Sequence, residues 1–228
     1  MDQIHNPLTP DPSSPKRERG EEEKSEGLVL SSTEAGKGQE RLERFGVADA
    51  YILLAIAAGL AATLVYLGRV WWCGCGAAVP WSWDINTRHN SQHLLDPYTF
   101  SHVQHGLLLF WLMLAAAGVA GPHWRWFAAL LIEACWEVIE NTPLVIERYR
   151  AGTISLEYYG DSIFNSLSDL TACAAGYVLA RWVGWRWGLA IFVAIELSMV
   201  ALIRDSLLLN VLMLFYPLEA VKNWQGGA

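Results

Sequence analysis

GVADAYILLAIAAGLAATLVYLG, residues Gly46–Gly68, decides the fold class. It is an apolar run of about 23 residues with one carboxylate, Asp49, near its start. A helix of that length rises about 34 Å, enough to cross a hydrocarbon core of about 30 Å. The rest of the chain shares the bias. Of 228 residues, 53% are hydrophobic and only 17% charged, and 12 are Trp. A soluble domain of this length would be more polar.

Further apolar stretches run from about Phe100 to Ala120, His123 to Asn141, Asp161 to Trp182 and Trp187 to Ile203. A last one, SLLLNVLMLFYPL, is short for a span and reads as re-entrant, interfacial or a thin sixth helix. The expected fold is therefore all-α: an integral membrane helical bundle of five to six transmembrane helices over residues 46–225. Residues 1–45 are rich in Pro, Ser, Glu and Lys, and read as a disordered cytoplasmic tail without the pattern of a signal peptide. The tail holds ten Asp/Glu against seven Lys/Arg, so it supplies about −3 of the net charge of −7. No basic stripe or recognition motif points to nucleic acid.

Arg41, Arg44, Arg125, Arg181 and Arg186 collect on one side of this topology, which the positive-inside bias makes cytoplasmic. Tryptophans gather near the span ends, where amphipathic rings prefer to sit. The expected location is the bacterial inner membrane, with lipids as partners. The sequence indicates neither an oligomeric state nor a cofactor.

Against that apolar background stands CWEVIENTPLVIERYRAGTISLEYYGDSIFNSLSDL, Cys135–Leu170. Glu133, Glu137 and Glu140 fall at i, i+4 and i+7, with Asn141 beside them, so they share one helix face. Asp161, Asn165 and Asp169 repeat the spacing on the next span. His102 and His105 lie at i and i+3, with His93 and Asp96 just before them. Ionisable groups at membrane depth are costly and face protein or water. Three such stripes converge on the non-cytoplasmic half.

The candidate catalytic set is His102, His105, Glu137, Glu140, Asn141, Asp161, Asn165 and Asp169. Such residues serve acid–base chemistry, a proton relay or metal ligation, and their simplest alternative role is interhelical hydrogen bonding. HVQH is not a diagnostic metal motif, so no metal is assigned. Arg148, Arg150, Tyr158 and Tyr159 are candidates for holding an anionic head group, or for local pairing with Glu147 and Glu157. Arg204–Asp205 reads as a bent boundary or an internal ion pair. Cys73 and Cys75, in WWCGCG, can form a strained disulfide, exchange thiols or ligate metal, but two cysteines cannot complete a zinc site alone. No Gly-rich phosphate loop, GxSxG elbow or inverted repeat is visible, which disfavours nucleotide-driven and serine-hydrolase roles and weakens a transporter.

WWCGCG, NSQHLLDPYTFSHVQHG, WEVIENTPLVIERYR, YYGDSIFNSLSD and IRDSLLLN, in this order over roughly Phe45 to Gln225, closely resemble a family of uncharacterised bacterial inner-membrane proteins known only as a domain of unknown function. The resemblance implies a multi-pass membrane protein and no established activity. A weaker similarity links the chain to VanZ-like membrane proteins. It would match His102 or His105, Glu137 or Glu140, Arg150, Asp161, Asn165 and Gly176, and it implies a role in the cell envelope. The expected function is an enzyme acting on a lipid or lipid-linked envelope molecule. The alternatives are a proton-coupled carrier and a non-catalytic assembly factor.

Overall fold

The computed structural model describes residues 46–227; the expected N-terminal tail lies outside them. The described residues are all-helical, with a single isolated bridge, Trp81–Leu95, and no strand. The helices are α1 (Val47–Tyr66), α2 (Thr99–Leu114), α3 (Pro122–Glu140), α4 (Pro143–Gly152), α5 (Ile163–Ile203), α6 (Leu207–Phe215) and α7 (Glu219–Gln225). Two of them, α1 and α5, are long and apolar enough to cross a membrane. Helix α2, at 16 residues, is shorter than the expected stretch to Ala120, and α3 carries the carboxylate stripe. At 9 residues, α6 rises only about 14 Å, so the last apolar stretch is not a full-length span.

The 41 residues of α5 are not one rod. Gly184 breaks the helix with φ 74° and ψ 174°, a backbone that favours glycine. A straight helix of this length would reach about 60 Å. Instead both halves lie along α2. Asn165, Asp169 and Tyr177 meet Asp96, His102 and Phe110, so the first half runs parallel to α2. Gly188 meets Trp111, while Glu196 and Met199 meet Gln104 and Ser101, so the second half runs back. The expected fourth and fifth stretches are thus the arms of a hairpin that clasps α2.

The clasp is tight because of two glycines. A Cβ on Gly106 would overlap the Cys173 carbonyl, and one on Gly176 would overlap the Val103 carbonyl. An apolar core of Leu60, Leu64, Trp126, Ala129, Leu130, Leu170 and Tyr177 joins α1, α3 and α5. Near one end of the bundle His123 pairs with Asp49 at 2.7 Å, and the Trp126 indole donates to the Asp49 carbonyl at 3.1 Å. The polar residues collect at the opposite end.

Candidate functional site

Helix α3 stops where Pro143 follows Thr142, because proline cannot continue the ladder. Its last two turns present Glu133, Glu137 and Glu140 inward. Glu133 is the hub. Its carboxylate accepts from His102 Nδ1 at 2.6 Å and from His105 Nδ1 at 3.0 Å. Each imidazole thereby has its tautomer fixed, with Nε2 left as the free ring position. Glu137 lies 3.3 Å from His102 Nδ1, and Asp169 approaches His102 Nε2 at 3.9 Å. Neither oxygen of Glu137 has a hydrogen-bond partner, although the residue is fully buried.

Asn141 acts as a clamp. It donates to Asp161 Oδ2 and accepts from the Asp161 N–H, both at 2.8 Å. Tyr158 donates to the other oxygen of Asp161 at 2.9 Å. The next residue, Ser162, caps α5 by accepting from the Asn165 N–H at 3.1 Å. Asp96 accepts from the Tyr98 N–H at 2.7 Å and from Asn165 at 3.5 Å. Burial pushes the Asp96 carboxyl above its ordinary range, opposed by that Tyr98 N–H.

These groups border a cavity with about 50 Å³ of space for water centres, room for several molecules. His102, His105, Glu140, Asp161, Asp169 and Tyr158 line it, together with Tyr149, whose hydroxyl donates to Asn210 at 2.7 Å. Among the described residues no lysine or arginine does. Six carboxylates, Asp96, Glu133, Glu137, Glu140, Asp161 and Asp169, therefore surround two imidazoles. Even with both imidazoles protonated, the cluster keeps excess negative charge unless carboxyls hold protons or a cation enters. His102, His105 and Glu133 have a donor set that can hold a divalent ion, as do His102, Glu137 and Glu140. The 2.6 Å His102–Glu133 contact is nevertheless a direct hydrogen bond, which needs no ion.

All eight candidate catalytic residues thus converge: His102, His105, Glu140, Asp161 and Asp169 on the cavity wall, Glu137, Asn141 and Asn165 just behind it. Of the four candidates for substrate binding, only Tyr158 faces the cavity. Arg148 donates to the carbonyls of Leu214 and Phe215 at the end of α6. Arg150 donates to the Leu156 carbonyl and stacks on Tyr159, which is exposed. Glu133 belonged to the visible stripe, yet its role as hub follows only from the two histidines opposite. Tyr149, Asn210 and Glu196 gave no signal of their own. Glu196 accepts from Gln104 and from the Leu207 N–H, and so caps α6 from inside the bundle. Arg204 and Asp205 form a bent boundary: Arg204 ends α5 at φ 55°, and Asp205 accepts from Tyr98, Ser206 and Gln225.

The profile of a family described as "Protein of unknown function (DUF2585)" matches residues 64–227. A UPF0314 protein of Brucella anthropi is 44% identical over 185 residues, covering 81% of this chain and 93% of the relative. One from Sinorhizobium fredii is 47% identical over 71% of this chain and 82% of its own. One from Paracoccus denitrificans is 45% identical over 72% and 85%. No solved structure matches the chain. The chain belongs to this uncharacterised family.

Proposed function

We propose that this member of the DUF2585 family is a multi-pass protein of the bacterial inner membrane whose cavity carries out acid–base chemistry on a lipid or lipid-linked envelope molecule. The surface of α1 supports membrane insertion. Of its 20 residues only Asp49, Leu60 and Leu64 are buried, while Tyr51, Leu54 and Val65 face outward. Water would not tolerate so continuous an apolar face. Trp124, Trp182, Trp185 and Trp187 are exposed at one end and Trp71 and Trp83 toward the other, as interfacial anchors would be. In this reading α1, α2, α3 and the two arms of α5 cross the membrane, and α6 dips in without crossing. The arginine bias then puts the cavity on the non-cytoplasmic side.

The observation that carries the chemistry is the one-ended cavity. Two imidazoles and three carboxylates face its water-sized space, while Leu107, Leu130 and Leu170, all fully buried, fill the bundle below. Acid and base groups thus face one another across one space, the arrangement general acid–base catalysis uses, and this favours an enzyme. Glu140 or Asp161 serves as general base, His102 or His105 as acid or ligand, and Asn141 positions Asp161. Three carboxylates and, among the described residues, no lysine or arginine line the cavity, so its wall offers no cation to hold a bare anion. The reacting part of the substrate is therefore neutral or cationic, or carries its own cation, and the anion clamp expected of Arg148 and Arg150 has no counterpart at the wall.

The test is an envelope lipid inventory of cells lacking the protein, complemented with the natural chain or with Asp161→Asn at matched membrane levels. A species that accumulates without the protein and is cleared only by the natural chain is expected. An unchanged inventory in all strains would remove lipid chemistry and favour a carrier or an assembly role.

A further inference from the structure

The segment joining α1 to α2 has no helix and only the Trp81–Leu95 bridge. It has little core of its own, yet Ser91 anchors the site by accepting from the Ser162 N–H at 2.9 Å, and Asn90 and Ser91 line the cavity. Something must hold this segment in shape. Within it Cys73, Cys75, His89 and His93 gather, with one ligand atom from each lying within 4.8 Å of all the others.

The geometry points to a structural zinc site made by Cys73, Cys75, His89 and His93. Tetrahedral zinc, at about 2.3 Å from sulfur and 2.0–2.1 Å from nitrogen, separates its ligand atoms by about 3.3–3.8 Å. Cys73 Sγ lies 3.2 Å from His89 Nδ1, and Cys75 Sγ lies 3.8 Å from His93 Nε2. The surroundings are those of a metal ligand. His93 directs Nδ1 at the Val79 carbonyl, 2.7 Å away, so that nitrogen carries the hydrogen and Nε2 keeps its lone pair toward the cysteines. The Cys75 N–H points at Cys73 Sγ at 3.4 Å, as it would toward a thiolate. Trp72 packs edge-on against the His93 ring and shields one side. The second pair, His-x3-His, has the spacing common in zinc sites, and two sulfurs with two imidazoles suit zinc. With four protein ligands the site is closed, so its role is to pin residues 73–75 to 89–93 and thereby hold the cavity mouth. It stands apart from the proposed enzyme chemistry and does not depend on it.

The full chain, purified in detergent from cells grown with zinc, is assayed for metal by mass spectrometry. About one zinc per chain is expected, as for a closed four-ligand site. It should be lost in the Cys73→Ser/Cys75→Ser chain and retained in His105→Ala, which separates this site from the inner histidines. A variant-free measurement guards against misfolding: cobalt(II) added to the stripped natural chain should give the intense thiolate charge-transfer absorption of a tetrahedral site. A chain without zinc and with a Cys73–Cys75 disulfide would overturn the proposal. So would zinc that persists in the double variant, or cobalt bound without thiolate absorption.

Discussion

Two clusters of metal-capable side chains lie near the same end of this molecule, and they differ in how they satisfy themselves. In the bundle, Glu133 takes hydrogen bonds from two imidazoles at 2.6 and 3.0 Å. Donor and acceptor match there, each imidazole N–H meeting a carboxylate oxygen directly. In the loop, two thiols and two imidazoles approach at 3.2 and 3.8 Å, and sulfur is a weak partner for nitrogen. Four metal-ligating atoms converge there, two soft sulfurs and two imidazole nitrogens, joined only by weak S···N contacts. Donor type, not proximity alone, separates a hydrogen-bonded hub from a metal-binding knot.

The largest effect expected from breaking this contrast is at the hub. Glu133→Leu leaves buried His102 and half-buried His105 without their common acceptor, which costs about 3–5 kcal/mol, the scale for breaking a buried charged pair. Detergent-solubilised protein should melt well below the natural chain, or fail to accumulate, while any chain recovered keeps its zinc. Unchanged melting would mean that Glu133 does not organise the histidines.

A smaller effect sharpens the contrast at the far side of the cavity. Burial raises the Asp205 carboxyl to about 6, against the hydrogen bonds it accepts from the Ser206 N–H and the Tyr98 hydroxyl. The folded chain therefore holds a proton that the unfolded chain releases near pH 4. Stability from this group is complete below about pH 4 and falls away up to pH 6, by about 3 kcal/mol for a shift of about two units. Asp205→Asn should flatten that part of the melting-temperature profile relative to the natural chain. Parallel profiles would show that Asp205 does not titrate there.

How much of this was legible in the sequence depends on whether the signal was local. The 3.6-residue period put Glu133, Glu137 and Glu140 on one face, and the structure keeps them there. The helical character of the described residues was legible for the same reason, although of the five to six spans expected only two helices are long and apolar enough to cross a membrane. Gly184, between Arg181 and Arg186, sits in the gap read between the fourth and fifth stretches. The partnership of Cys73 with His89 was not legible, because 16 residues of irregular loop must fold to create it. Arg148 read as a candidate anion clamp because a guanidinium near an acidic mouth can hold an anion. In the fold it donates to the carbonyls at the end of α6, a contact that depends on how the short last apolar stretch folds back.

The central claim is that the inner carboxylates form a working site and are not only glue between helices. The most direct test is Glu140→Gln, a change on the cavity wall that keeps shape and hydrogen bonding but removes the charge. The account predicts membrane levels and melting close to the natural chain, together with failure to clear the lipid species that accumulates in cells lacking the protein. Full clearance by Glu140→Gln, or a variant that simply fails to accumulate, would contradict it.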